Sequence, residues 1–377
     1  MTEPFYMRAF LSSALCLAML SGCNQSEEQV NNEQTSLDLS SISQQQIATD
    51  FAAHWLEPNI IALPKNSDSN LKLISWSKDN TQVKTASQLL QKIQWPSDLS
   101  AQYPHLTEFD VYRINVAIDD IKQLIKHRIA VVAFENSDSK SNINQIHHVQ
   151  TSYLIDSIFT SAENDADEVA DLGAIANTKG SQIKLWSPTA HQVSVKLFDE
   201  DKRFVSSTAM AEDTDTGIWQ VKFDENLDGH FYQYEIENYH PKTQKVETFT
   251  TTDPYSLSLS TNSEHSQIVD LSSPSTQPSG WGKQANPELK NKEDAIFYEL
   301  HIRDFSAGEK RLENEENRGK YGAFGETSSH GIEHLKTLKS AGLTHIHLLP
   351  AFDIGTVNEA PQVAFVMSDT VAKDEVY

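Results

Sequence analysis

The chain has 377 residues, with 53 Asp and Glu against 30 Lys and Arg, for a net charge of −23. That excess of negative charge repels phosphate backbones and anionic lipid, which excludes nucleic acid as a partner and leaves a neutral polysaccharide acceptable. The length allows two to four domains of ordinary size, and the only cysteines are Cys16 and Cys23.

A mostly apolar run from Ala9 to Leu20 follows Arg8. It is too short to span a bilayer and suits the hydrophobic stretch of a secretory signal over residues 1–22. The run ends in Leu20-Ser21-Gly22-Cys23, which resembles the bacterial lipobox and makes Cys23 the expected lipid attachment site. Acyl chains on Cys23 would anchor the mature chain in a bilayer. By the same resemblance, Asn24 after the cysteine implies the outer membrane of the cell envelope. Cys16 leaves with the signal, so the mature chain would hold neither a free thiol nor a disulfide. The alternative is an ordinary cleaved signal in which Cys23 is accidental. Residues 23–47 are rich in Ser, Gln, Asn and Glu, bury too little apolar surface to offset ordering entropy, and read as a flexible tether.

Residues 48–176 form a first folded unit, mixed but mainly β. It contains IIAL before Pro64, LKLISWS at 71–77 and VYRINV at 111–116. Helical spacing of Ile118, Ile121, Leu124 and Ile125 predicts a helix within 117–128, and IAVVAFE at 129–135 predicts a buried strand. Residues 177–275 alternate more cleanly, with Val193, Val195 and Leu197 on one face of a strand and Ser194, Lys196 and Phe198 on the other. Short strands with turns between them predict a β-sandwich. Pro, Ser and Gly over 276–293 mark a linker. In 294–377 the rhythm changes to a strand at 295–306, a helix at 331–343 and a strand at 345–350, a βα unit of a parallel sheet.

Asp294-Ala295-Ile296-Phe297-Tyr298-Glu299-Leu300-His301 and its continuation to Ser306 resemble the first barrel strand of the pullulanases in glycoside hydrolase family 13. Gly342 to Ile354, which includes His345-Ile346-His347-Leu348-Leu349-Pro350, is similar to their second strand. Leu185-Trp186-Ser187-Pro188, Gly217-Ile218-Trp219, Tyr232-Gln233-Tyr234-Glu235 and Asp253-Pro254-Tyr255-Ser256 resemble the family 48 carbohydrate-binding module. AHWLEPNIIALP at 53–64 is similar to the pullulanase N-terminal domain. The fold class implied is multidomain: mainly β N-terminal domains, a mixed β domain plus a β-sandwich, followed by an incomplete (β/α)8 barrel.

The resemblance implies hydrolysis of α-1,6-glucosidic links in pullulan, glycogen or limit dextrins, with α-glucan as partner and no required cofactor. Calcium is allowed by the family. Only 84 residues run from Asp294 to Tyr377, against about 250 for such a barrel. Retaining hydrolysis needs two carboxyls about 5 Å apart across the scissile bond. The family places its catalytic carboxylates after strands beyond the second, so none is carried over here. The expectation is a truncated, inactive N-terminal part; the alternative is a non-catalytic, lipid-anchored α-glucan-binding surface protein. Two strands and one helix would also leave apolar faces uncovered.

Trp186, Trp219, Tyr232 and Tyr234 are the candidate carbohydrate-binding residues, because an aromatic face packs on the apolar face of a sugar; such residues in a sandwich are more often core. His330-Gly331-Ile332-Glu333-His334 matches an H-x-x-E-H zinc pattern, but Ser328, Ser329 and Gly331 mark a helix start and make His330 a capping or pre-helix residue rather than a helical ligand, so no metal site is assigned. Asp304 and Asp353 close the two barrel-like strands as supporting polar residues or substrate-loop positions, and His345 with His347 are strand-packing residues.

Overall fold

The computed structural model describes residues 49–351, except 66–69, 87–89, 135–142, 163–164, 284 and 286, together with 358 and 359. The signal at 1–22, Cys23, the tether at 23–47 and Asp353 lie outside the described residues.

The first unit is built on one eight-stranded sheet, in the order β4-β3-β7-β8-β1-β2-β6-β5. Its strands are β1 (Thr49–Glu57), β2 (Ile60–Leu63), β3 (Leu71–Trp76), β4 (Val83–Thr85), β5 (Gln91–Ile93), β6 (Asp110–Arg113), β7 (Ile129–Phe134) and β8 (Ile143–Gln150). β7 is buried along its whole length because both faces of the sheet are covered. Ile129, Val131 and Ala133 join Trp55, Leu71 and Leu73 on one side, and Ala130, Val132 and Phe134 join Ile74 and Trp76 on the other. β1 and β8 pair in parallel, a connection that the chain reaches only by crossing the unit. Helices α1 (Ser97–Gln102), α2 (Ile118–Leu124) and α3 (Ser152–Phe159) complete it. Leu154 and Phe159 of α3 and Ile121 of α2 pack into the first cluster.

The second unit is a sandwich. One sheet is β13-β14-β10-β9; the other is β12-β11-β15-β16 with β17 beside β15. The strands are β9 (Gly173–Asn177), β10 (Gly180–Trp186), β11 (Ala190–Phe198), β12 (Phe204–Ala209), β13 (Ala211–Asp213), β14 (Ile218–Phe223), β15 (Phe231–His240), β16 (Lys245–Thr251) and β17 (Ser266–Gln267). The alternation that predicts it is realised residue by residue: Val193, Val195 and Leu197 are buried against Ile183, Leu185 and Ile236.

Farther along, β18 (Phe297–His301) and β19 (His345–Leu349) pair in parallel. Between them lie α4 (Ile302–Ala307) and α5 (His330–Ser340). The strand expected over 295–306 stops at His301, whose ring accepts from the backbone N–H groups of Arg303 and Asp304 and turns the chain into α4. Asp304 therefore stands in the first turn of a helix instead of closing a strand. Phe297 is 67% exposed and Ile346 44%, so the pair has apolar faces without cover among the described residues. Its connection is held by two buried carboxylates. Glu309 accepts from the backbone N–H groups of Lys310, Arg311 and His330 and pairs with the His330 ring at 2.8 Å, which holds it down to about 2. Glu326 accepts from Glu313 N, Asn314 N and Asn317 Nδ2.

Candidate functional site: the sandwich and its junction with the first unit

Period-two alternation turns Tyr232, Tyr234 and Ile236 of β15 into the sandwich, and the two phenols are almost wholly buried. Their hydroxyls converge on Asp253 Oδ2, at 2.6 Å from Tyr232 and 2.9 Å from Tyr234. The other carboxylate oxygen accepts from Tyr255 N at 2.8 Å, and Asp253 N donates to Ser266 Oγ. Burial raises the Asp253 carboxyl above the usual range even against these donors; burial and then the Asp253 charge push both phenols up. Tyr232 and Tyr234 are therefore core residues that tie β15 to the Asp253 turn, and neither offers a face to a sugar.

The two tryptophans also make structural contacts. Trp219 is buried, and its indole N–H donates to Ser187 O at 3.0 Å. Trp186 is half-buried, donates to Thr216 O at 3.0 Å and packs against the core of the first unit. Both are spent on hairpin geometry and on the junction between the units.

That junction is extensive. Lys126 Nζ reaches both oxygens of Glu212 at 2.6 Å and lies over the Trp219 ring at 5.6 Å. Lys78 pairs with Glu237 at 2.6 Å, Lys122 Nζ donates to Thr214 O at 2.9 Å, and Asn80 Nδ2 donates to Gln244 O at 2.7 Å. Gly217, at φ +70°, allows the closest approach: a Cβ there would stand 2.6 Å from Pro188 Cβ and 3.4 Å from the Phe159 ring of α3. The His127 and His191 rings meet edge to face at 4.7 Å, and burial lowers the His191 pKa.

A cavity of about 530 Å³ opens at the same junction. One wall is Ile125, His127 and Ile129 with the end of β8 and the start of α3, from His148 to Ser152. The other is Thr189, Asn238, Tyr239 and Pro241 of the sandwich. Sequence reasoning missed these residues. The available signal was Asn238, a polar residue where the inward register of Tyr232, Tyr234 and Ile236 continues.

The described residues form a single grouping of three close metal-ligating side chains, Asp165, Asp167 and Glu168, outside the histidine motif. In that motif His330 is held by Glu309, Glu333 pairs with Arg311 at 2.7 Å, and the His334 ring stands against Tyr298. Ser329, not His330, caps α5. His345 stacks on Phe297 at 4.7 Å, and His347 pairs with Glu299 at 3.1 Å.

Fold and junction define a class: a mixed β domain packed against a two-sheet β-sandwich. Residues 50–157 match the pullulanase N2 domain, and residues 171–256 match carbohydrate-binding module 48 (isoamylase N-terminal domain). The chain is 34% identical over 322 residues to a pullulanase of Klebsiella pneumoniae, covering 81% of this chain and 28% of that one. It is 35% identical over 268 residues to the chloroplastic pullulanase 1 of Arabidopsis thaliana, covering 70% of this chain and 26% of that one. Among solved structures, Klebsiella pneumoniae pullulanase complexed with maltotriose superposes with a TM-score of 0.75 at 30% identity, covering 83% of this chain and 30% of that one. The chain thus spans between a quarter and a third of the length of these relatives, and it corresponds to the N-terminal region of the pullulanases, the debranching glycoside hydrolases.

Proposed function

We propose that this chain is the glucan-handling N-terminal region of a lipid-anchored debranching enzyme acting on α-1,6 links in pullulan, glycogen or limit dextrins. The observation that carries the reading is the ordered pair of matched domains, N2 and then module 48, on a structure that follows a maltotriose-bound pullulanase over 83% of this chain. In this reading the sandwich engages α-glucan and the first unit holds it rigidly. β18, β19 and the helices between them are the start of a (β/α)8 barrel.

Residues 1–377 alone hydrolyse nothing in this account, since the resemblance puts the family's two catalytic carboxylates after barrel strands beyond the second. Purified residues 24–377 should release no reducing ends from pullulan while a full-length pullulanase does so in parallel; release that scales with the chain's concentration refutes this. Anchoring rests on Leu20-Ser21-Gly22-Cys23, and the outer membrane on Asn24. Cys23→Ser should move the protein from the membrane fraction to the soluble fraction and abolish acyl labelling. Unchanged fractionation would sink the anchor.

A further inference from the structure

We infer that the junction cavity is an α-glucan subsite shared between the first unit and the sandwich, sized for a maltose-like segment; the assignment rests on the glucan-binding reading above. Its volume, about 530 Å³, lies within the range of about 300–1,000 Å³ typical of small-ligand pockets.

The lining selects the ligand class. Its polar members are the amides Gln150 and Asn238, the hydroxyls Thr151, Ser152, Thr189 and Tyr239, and the imidazoles His127 and His148. The described lining residues include no carboxylate and no ammonium, so a neutral polyhydroxylated ligand meets donors and acceptors without desolvating a fixed charge. Ile125, Ile129, Val149 and Pro241 supply apolar surface for the C–H face of a pyranose ring.

Two groups are left unsatisfied at this place. The Tyr239 hydroxyl is shielded from solvent and has no hydrogen-bond partner, although the ring belongs to the cavity wall. A buried phenol without a partner is costly, and a turn of the Tyr239 ring towards the cavity on binding would let a sugar hydroxyl satisfy it. Behind the wall, the Arg128 guanidinium stacks on Trp76 at 4.1 Å and stands 3.4 Å from His148 Nε2, while its Nε has no hydrogen-bond partner. That positive charge disfavours a cationic occupant. The division of the walls also matters, because the first unit contributes five of the eight polar lining residues and the sandwich three, so the subsite exists only while the units are docked.

The test is calorimetric titration of the purified chain with maltotriose, read together with the ring signals of His127 and His148 by NMR. The expected result is saturable binding that shifts both histidines, weakened about fivefold by Tyr239→Phe, the loss typical of one neutral hydrogen bond, with thermal unfolding of the free chain unimpaired or raised because the unmet hydroxyl is gone. Absence of saturable binding, binding that moves neither histidine, or equal affinity in Tyr239→Phe overturns the assignment. Displacement of maltotriose by millimolar inorganic phosphate overturns it too and makes the cavity an anion site. Retention of the chain on immobilised glycogen separates the two levels: if it persists when the titration fails, only the subsite falls; if it is lost, the glucan-binding reading falls with it.

Discussion

Asp253→Ala is expected to destabilise the sandwich by roughly 3 kcal/mol, because it strips the acceptor from two buried phenols at once and each unmet buried donor costs about 1–3 kcal/mol. For a sandwich that unfolds together with the first unit, a cooperative body of about 200 residues, that corresponds to a drop in the unfolding midpoint of roughly 6–12 °C. The network explains the size: the Tyr232 and Tyr234 hydroxyls and the Tyr255 N–H all donate to this one carboxylate, so losing it unties β15 from the Asp253 loop, while the Asp253 N–H keeps its bond to Ser266 Oγ. Asp253→Asn keeps one carbonyl acceptor and should cost distinctly less. Differential scanning calorimetry of both variants decides it, and an Asp253→Ala chain that melts with the parent would show that the phenols are not held by this carboxylate.

Lys126→Ala should uncouple the two units. The ammonium is 8% exposed and the Glu212 carboxylate 18%. Removing one partner of a buried pair leaves an uncompensated charge, at a cost of about 3–5 kcal/mol in fully buried cases. The residual exposure reduces this to about 2–4 kcal/mol. Trp219 loses its cation as well. The parent is expected to unfold in one transition, and Lys126→Ala in two, the sandwich separating from the eight-stranded unit. Lys126→Ala combined with Glu212→Ala should recover part of the loss, since the orphaned carboxylate goes with it. A single transition in Lys126→Ala would mean that Gly217, Trp186 and Lys78 dock the units without the pair.

Much of this architecture is legible in the sequence where one periodicity acts alone. IAVVAF reads as a strand covered on both faces and is one, because six consecutive apolar residues have no polar side to turn to solvent. The β11 alternation reads as a half-buried strand for the complementary reason. The parallel pairing of β1 with β8 was not legible, since nothing local encodes a partner 97 residues away, as between Thr49 and Ile146. The expected strand over 295–306 was overrun by a capping event at His301, a side-chain hydrogen bond that apolar patterning does not register.

The candidate site was read less well, and the reason is instructive. Aromatic identity pointed to Tyr232 and Tyr234, whereas their spacing with Ile236 already put all three on the inward face, where a phenol needs a buried acceptor such as Asp253. Asp253 itself was on the page as part of Asp253-Pro254-Tyr255-Ser256, but pairing it with the tyrosines needs the tertiary turn. Trp186 and Trp219, candidates for sugar contact with core packing as the commoner role, both contribute to the junction, where a docked neighbour covers part of an indole. The cavity residues come from two units far apart in sequence, so only the docked structure assembles them.

The central claim is that this region binds α-glucan, and affinity electrophoresis of the purified chain through gels containing glycogen tests it most directly. The account predicts mobility that falls as glycogen concentration rises and is unaffected by cellulose derivatives at the same concentrations. Equal mobility with and without glycogen, for a chain that still melts cooperatively, would contradict it.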